Sequence, residues 1–424
     1  MKTVRTLQAN SEEAHRCLWG RFVDAHGVLL DYAGPGGEVE LPNGEDCALG
    51  RPNAIGWWSP IENGAFFNGL YLQALCLRAR RTGTEGDRAK ARRIAGGLLK
   101  LSELSDVEGF IGRGIGSDGK CHYPMGSDDQ THPWFLGLFQ YLKSGLPEGK
   151  ERAQVEEATL RVALALEKSG WKGPCDGSFT GETRGDFTKA EFRGAANLLF
   201  ILRSLHALTG ETGWLGKYRR ALRETPEGGP DDRLAICSRS CLHDLPHIPD
   251  IRTQMWIVAG AQSSLAELIG MEEDPSARKA FRDGLEKNQA VAAEGLAEYR
   301  KFVPDERSPY RVLRWREAFP VWRAQKSQAE AQRLAVEQLA ALDRLDTDAG
   351  RPSRRALERH FMQQPLAAAC VAAIGASAEW KEKVRGPVAQ ALGHYDYGSL
   401  NTSSFFFAEC AFEAMEHPWD LGSH

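Results

Sequence analysis

The chain has 424 residues, 42% hydrophobic and 26% charged, with a formal net charge of −4. This is a globular composition, and so near-neutral a balance gives no reason to expect nucleic acid or an anionic membrane as partner. No apolar run reaches the ~18 residues of a spanning helix, and the N-terminus shows no leader pattern, so a cytoplasmic location is expected.

Nine cysteines, odd in number and scattered, read as free thiols in a reducing compartment rather than a disulfide framework. The first helix is expected over 11–24, with Ser11 as its cap and Glu12 and Glu13 behind it. A glycine- and proline-rich stretch follows. Glu62 then opens a segment apolar on nearly every side (Phe66, Phe67, Leu70, Leu72, Leu75), ended by Thr82-Gly83. The next segment, 87–104, puts Arg88, Arg92 and Arg93 outside and Ile94, Leu98 and Leu99 inside. A helix apolar all round is buried, whereas an amphipathic one lies at the surface.

The pair repeats. A buried helix beginning near Trp134, with Pro133 in its first turn and Gly145 at its end, precedes an amphipathic one over 150–168. Buried 195–208 precedes charged 214–224. A buried segment after Arg252 precedes 274–300, with Pro275 in the first turn. Buried 365–374 precedes 378–392, and 404–415 closes the series. The first four buried openings are spaced by roughly 60 residues, a long helical-hairpin period.

Six buried helices alternating with amphipathic ones fit one economical arrangement, an inner ring inside an outer ring. The fold class expected is therefore all-α, an (α/α)6 barrel. A solenoid would instead place both helices of each hairpin in equivalent half-buried positions. With no linker visible, 1–424 reads as one domain, with an insertion or extra hairpin around 301–345.

In such a barrel the loops entering the inner helices converge on one funnel. Ahead of the six lie Trp57, Trp58, Glu62 and Asn63; Arg113, His122, Tyr123, Asp128, Asp129, His132 and Trp134; Asp186, Glu191 and Arg193; His247, Asp250 and Arg252; His360 and Gln363; and His394, Tyr395, Asp396, Tyr397 and Asn401. Aromatics stack on sugar faces, arginine forks grip a carboxylate, and a carboxylate pair can supply the acid and base of glycoside cleavage. Arg113, Arg193 and Arg252 favour a carboxylate-bearing carbohydrate as the substrate partner. Capping accounts for an acidic residue at a helix start, but explains Asp128 and Asp129 together less easily than either alone.

The alternation, with WWSPIENGAFFNGLYLQAL and GSDDQTHPWFLGLFQYL, resembles the six-hairpin glycosidase superfamily. Within it the chain is similar to the bacterial uronic-acid branch, the unsaturated glucuronyl and rhamnogalacturonyl hydrolases and the (α/α)6 β-glucuronidases. FRGAAN, at 192–197, lacks the Asn-Gly-Trp that ends the corresponding motif of the unsaturated-uronyl hydrolases. The resemblance therefore implies β-glucuronide hydrolysis ahead of hydration of an unsaturated sugar. On that reading Asp129 is the general acid, Asp128 tunes its pKa, and Glu62 is the base or nucleophile. Substrate binding is expected from Arg113, His122, Tyr123, His132, Trp134, Trp58, Glu191, Arg193, Arg252 and Tyr397.

No cofactor is expected. Cys237, Cys241, His243 and His247 match no standard zinc spacing, so no metal is expected either. Uronate lyase chemistry remains an alternative, with Tyr123 beside His122 or His132, or Tyr395 or Tyr397 beside His394, as the base. A non-catalytic glycan-binding scaffold is the other, and assembly as a homo-oligomer is compatible with either.

Overall fold

The computed structural model describes residues 6–49, 51, 56–57, 59–243, 250–304, 310–323, 325–346 and 353–419. Twelve helices build its main body. In chain order they are α1 (Leu7–Arg21), α2 (Gly64–Thr82), α3 (Glu85–Leu101), α4 (Asp128–Lys143), α5 (Gly149–Lys168) and α6 (Phe192–Thr209). The remainder are α7 (Thr212–Arg223), α8 (Met255–Met271), α9 (Pro275–Gly295), α10 (Gln364–Ala373), α11 (Ala378–Leu392) and α12 (Phe406–Glu416).

The even-numbered helices form the inner ring. α2 packs on α4, α4 on α6, α6 on α8, α8 on α10, α10 on α12, and α12 returns to α2. The odd-numbered helices back them: α3 against α2 and α4, α5 against α4, α7 against α6, α9 against α8 and α10, α11 against α10, and α1 against α12. The ring is closed, so the fold is all-α, an (α/α)6 barrel.

Hydrophobic pattern sorts the rings. Every residue of α10 is buried, while α3 buries Ala91, Ile94, Ala95 and Leu98 and exposes Arg88, Arg92 and Arg93. Burial of an inner leucine or phenylalanine contributes about 1.5–3 kcal/mol, and only the inner helices can claim it on all faces. α2 and α4 meet at backbone distance. A Cβ on Gly69 would stand 2.0 Å from the Pro133 carbonyl oxygen, and one on Gly137 would stand 2.8 Å from the Gly69 Cα.

Two helix starts differ from expectation. α1 is capped by Thr6, whose hydroxyl accepts from the Ala9 N–H at 3.1 Å, and Ser11 is buried within the helix. α4 begins at Asp128 rather than near Pro133, which sits inside it. Both aspartates therefore belong to the first turn, where the helix dipole favours negative charge.

Entry to α10 is also irregular. Arg354–Glu358 is helical, Arg359–Gln363 is a π-turn, and α10 follows directly. Pro365 has no N–H to offer the Phe361 carbonyl one turn back. The Tyr395 hydroxyl donates to that oxygen instead, at 2.7 Å.

The segment expected as an insertion packs beside the ring's mouth. Tyr310, Val312, Trp315, Phe319 and Trp322 form a small core with Tyr32 and with Leu342 of the helix Gln328–Asp346. The Ser178 hydroxyl donates to the Gln325 carbonyl at 2.6 Å, joining this segment to the connection between α5 and α6. That connection carries the chain's short antiparallel hairpin, β1 (Lys172–Pro174) and β2 (Thr183–Asp186). No described helix is long and apolar enough to cross a membrane.

Candidate active site

At the mouth of the inner ring lies an open cleft. Three carboxylates (Asp31, Glu62, Asp129) and four guanidiniums (Arg113, Arg184, Arg355, Arg359) line it. Tyr32, Trp57, Phe67, Trp256 and Tyr310 supply aromatic surface. All six inner-helix entrances contribute, that of α6 through Arg184 on the hairpin that precedes it.

Asp31 organises the first entrance. Its Oδ2 accepts the N–H groups of Glu62 at 2.9 Å and Asn63 at 2.8 Å, and its Oδ1 accepts the Asn63 side-chain amide at 2.6 Å. These donors meet the chain as it turns into α2, so Asp31 fixes where Glu62 points. Gln130 links this entrance to the next, donating to the Asn63 side chain at 3.3 Å and accepting the Phe66 N–H at 3.0 Å.

Arg113 is the strut of the second entrance. Its guanidinium donates to the carbonyls of Met125 (2.9 Å) and Glu62 (3.2 Å) and to the Ser127 hydroxyl (2.8 Å), and lies 3.6 Å from Asp129. The Ser127 hydroxyl also donates to Asp129.

Electrostatics separate the carboxyls. Burial works to raise the Asp129 pKa, but Arg113, the Ser127 hydrogen bond, Arg184 and Arg193 outweigh it and hold Asp129 below the usual carboxylate range. Asp128 moves the other way, raised by burial and then by the Asp129 charge. Burial and the adjacent Glu62 push Asp31 well above its ordinary value, against the pull of its three N–H donors. Two carboxyls that oppose each other's ionisation titrate as a pair sharing a proton.

These positions correct several expectations. Asp129, Glu62 and Arg113 line the cleft, and the lowered pKa of Asp129 favours its charged form, which suits a base or nucleophile better than the acid expected of it. Asp128 is not among the lining residues; it packs under β2, where a Cβ on Gly185 would come 2.3 Å from the Asp128 nitrogen. Trp134 is buried and donates to the Leu98 carbonyl at 2.8 Å. Tyr397 is buried and donates to the Leu392 carbonyl at 2.7 Å. His132 faces Ser264 at 2.8 Å inside the ring, and burial followed by the Arg193 charge lowers its pKa to about 3.

Tyr123 is buried behind the cleft beside Arg113. His122 pairs with Asp176 at 2.6 Å in a separate rim cleft with Cys47 and Cys121. Arg193 and Glu191 stand 3.9 Å apart at the start of α6, neither lining the cleft. Arg252 forms surface ion pairs with Asp250 at 2.8 Å and Glu294 at 3.2 Å. Cys237 and Cys241 are buried. Trp58, His247 and the His243 side chain lie outside the described residues.

Sequence reasoning overlooked Asp31, Arg184, Arg355 and Arg359. A charged residue inside the apolar run Val28–Tyr32 was the available signal for Asp31, because aspartate is seldom buried unless bonded. The two later arginines are four apart, hence on one helical face.

No family model matches the chain, and no curated protein sequence matches it. Among solved structures, the chain resembles a family 76 glycoside hydrolase, a mannosidase from Bacteroides thetaiotaomicron VPI-5482. The TM-score is 0.41 and the identity 10%, over 96% of this chain and 97% of that one. It also resembles a metagenome-derived family 9 endoglucanase, at TM-score 0.38 and 12% identity, over 96% of this chain and 80% of that one. Both are glycoside hydrolases. The chemistry is read from the site's own residues.

Proposed function

We propose that the protein is a glycoside hydrolase acting on a carbohydrate that carries a carboxylate, with a β-glucuronide as the first substrate to try. The observation that carries this reading is the composition of the cleft: carboxyls pushed toward opposite protonation states, beside four arginines and an aromatic wall. Environments that drive two carboxyls apart assign the acid and the base. Asp129, its charged form favoured, is the base or nucleophile. The Asp31–Glu62 pair supplies the proton. Asp31, held well above its ordinary value in spite of its three N–H donors, keeps the proton of the pair, and Glu62, which it positions at the cleft, is the group placed to pass it to the leaving oxygen. Arginines bind the substrate carboxylate, and Trp57 and Trp256 offer faces for sugar stacking.

Lyase chemistry is less well supported. Of the bases expected for it, Tyr395 is committed to Phe361, Tyr397 to Leu392, His132 to Ser264, His394 to the Phe302 carbonyl at 3.2 Å and His122 to Asp176, so a lyase would have to use Tyr32 or Tyr310 of the cleft lining instead.

The test is turnover of nitrophenyl β-glucuronide, nitrophenyl β-glucoside and an unsaturated uronyl disaccharide by the wild type, Asp129→Asn and Glu62→Gln. The expected result is preferential release from a uronide, lost in both variants. A product with new ultraviolet absorbance would move the protein to lyase chemistry, and full activity in Asp129→Asn would remove that residue from the mechanism.

A further inference from the structure

Arg113 is committed to two backbone carbonyls and the Ser127 hydroxyl, and Arg355 and Arg359 have interactions of their own. Arg184 is the different one. It stands on β2, two residues before Asp186, which faces Lys172 across the hairpin. Its guanidinium lies over the Trp57 ring, 4.9 Å from the centroid. It makes no hydrogen bond or ion pair with another described residue, although it lines the cleft that holds Asp129.

The hairpin places it over the first turn of α4. Gly185 has φ of +76°, the left-handed region that favours glycine, and its missing Cβ lets the strand rest on the first turn of α4. Stacking on Trp57 orients the planar fork while leaving the N–H edges available, and a stacked guanidinium keeps its full capacity to grip a carboxylate with two parallel hydrogen bonds. Arg113 lies close enough for the two like charges to oppose each other. An anionic ligand group arriving between them relieves that repulsion.

We propose that Arg184 is the specificity-determining residue of the cleft, reading the anionic group of the sugar unit held beside Asp129. This rests on the hydrolase reading above and narrows it: the charged unit occupies the position next to the scissile bond, and neutral sugars are discriminated against there. Removing one charge-assisted bidentate contact is expected to cost about ten- to a hundredfold.

Two measurements test it. In the first, kcat and KM for nitrophenyl β-glucuronide and β-glucoside are compared in wild type, Arg184→Gln and Arg184→Lys. The glucuronide-to-glucoside ratio of kcat/KM should fall at least tenfold in Arg184→Gln. Arg184→Lys, which keeps the charge and loses the fork, should recover only part of it. In the second, binding of free glucuronate and glucose to Asp129→Asn and Asp129→Asn/Arg184→Gln is followed by calorimetry. A preference for glucuronate that disappears with Arg184 supports the inference even if no glycoside is turned over, an outcome that would overturn the hydrolase reading alone. Uronide turnover with an unchanged ratio in Arg184→Gln would overturn the inference and leave the hydrolase standing. Absence of any glucuronate preference in both turnover and binding would overturn the inference as well.

Discussion

Between α1, α2, α3 and α12, ionisable groups answer one another. Glu409 accepts from the Tyr71 hydroxyl at 2.7 Å and meets His15 at 2.9 Å, while Arg78 bonds Asp87 at 2.9 Å and Glu12 at 2.7 Å. Asp87 in turn accepts the hydroxyls of Thr82 and Thr84. At the mouth, the charges of Asp129 and Arg184 face open space beside aromatic rings. Both regions are dense in charge and both shift carboxyl pKa values; burial raises Asp87, but its bonds to Arg78, Thr82 and Thr84 win and bring it down to about 2. Density of charge therefore says little about function. A charge whose partners are all within the fold holds helices together, and one that faces a cavity is available to a ligand.

The sharpest separation comes from substituting one carboxylate in each region. Asp129→Asn should lower kcat by about 10²–10⁴, the usual contribution of a positioned acid–base group, with the urea midpoint nearly unmoved. Glu409→Gln should do the reverse. Breaking a buried charge network by removing one partner costs about 3–5 kcal/mol, read as a lower urea midpoint, with turnover per folded molecule retained. Were Asp129→Asn as destabilising as Glu409→Gln, the distinction between the regions would collapse.

A pH series sharpens it further. His132 is buried inside the ring against Ser264, its pKa lowered to about 3 by burial and then Arg193. The unfolded chain takes up that proton near pH ~6.5. The stability tied to this group is thus complete above about 6.5 and lost as pH falls toward 3. Thermal midpoints of wild type should decline across that window more than those of His132→Asn. The smallest effect expected is for Tyr395→Phe, which leaves the Phe361 carbonyl without its hydroxyl donor. About 1 kcal/mol should be lost, seen in urea unfolding, with the cleft's selectivity preserved.

The ring was legible because burial is written locally. α2, α4 and α10 are apolar on every face and their outer neighbours on only one, and the sign for where to stop came from residues such as Thr82-Gly83. The cleft was only half legible. Glu62, Arg113 and Asp129 stand at helix entrances, where a funnel argument looks. Arg184 arrives on a hairpin inserted between outer α5 and inner α6, Arg355 on the short helix Arg354–Glu358, and Arg359 at the start of the π-turn that follows it. Neither the hairpin nor the π-turn has a period that a sequence pattern reveals. The surplus residues, Trp134, Tyr397 and Arg252 among them, share the entrances but point into the core or toward solvent, and spacing alone does not separate those directions.

The return of α12 to both α2 and α1 has a consequence for how the molecule is made. Thr402 and Ser404 line the cleft, and α1 packs most extensively on α12, to which His15 is joined through Glu409, 394 positions later in the chain. Synthesis at about 5–20 residues per second means that α1 waits many seconds on the ribosome with its apolar stripe uncovered. Such a high-contact-order closure is slow relative to local helix formation. The nascent chain therefore carries an open ring, exposed to chaperones and without a finished cleft, until the segment around residue 416 has emerged.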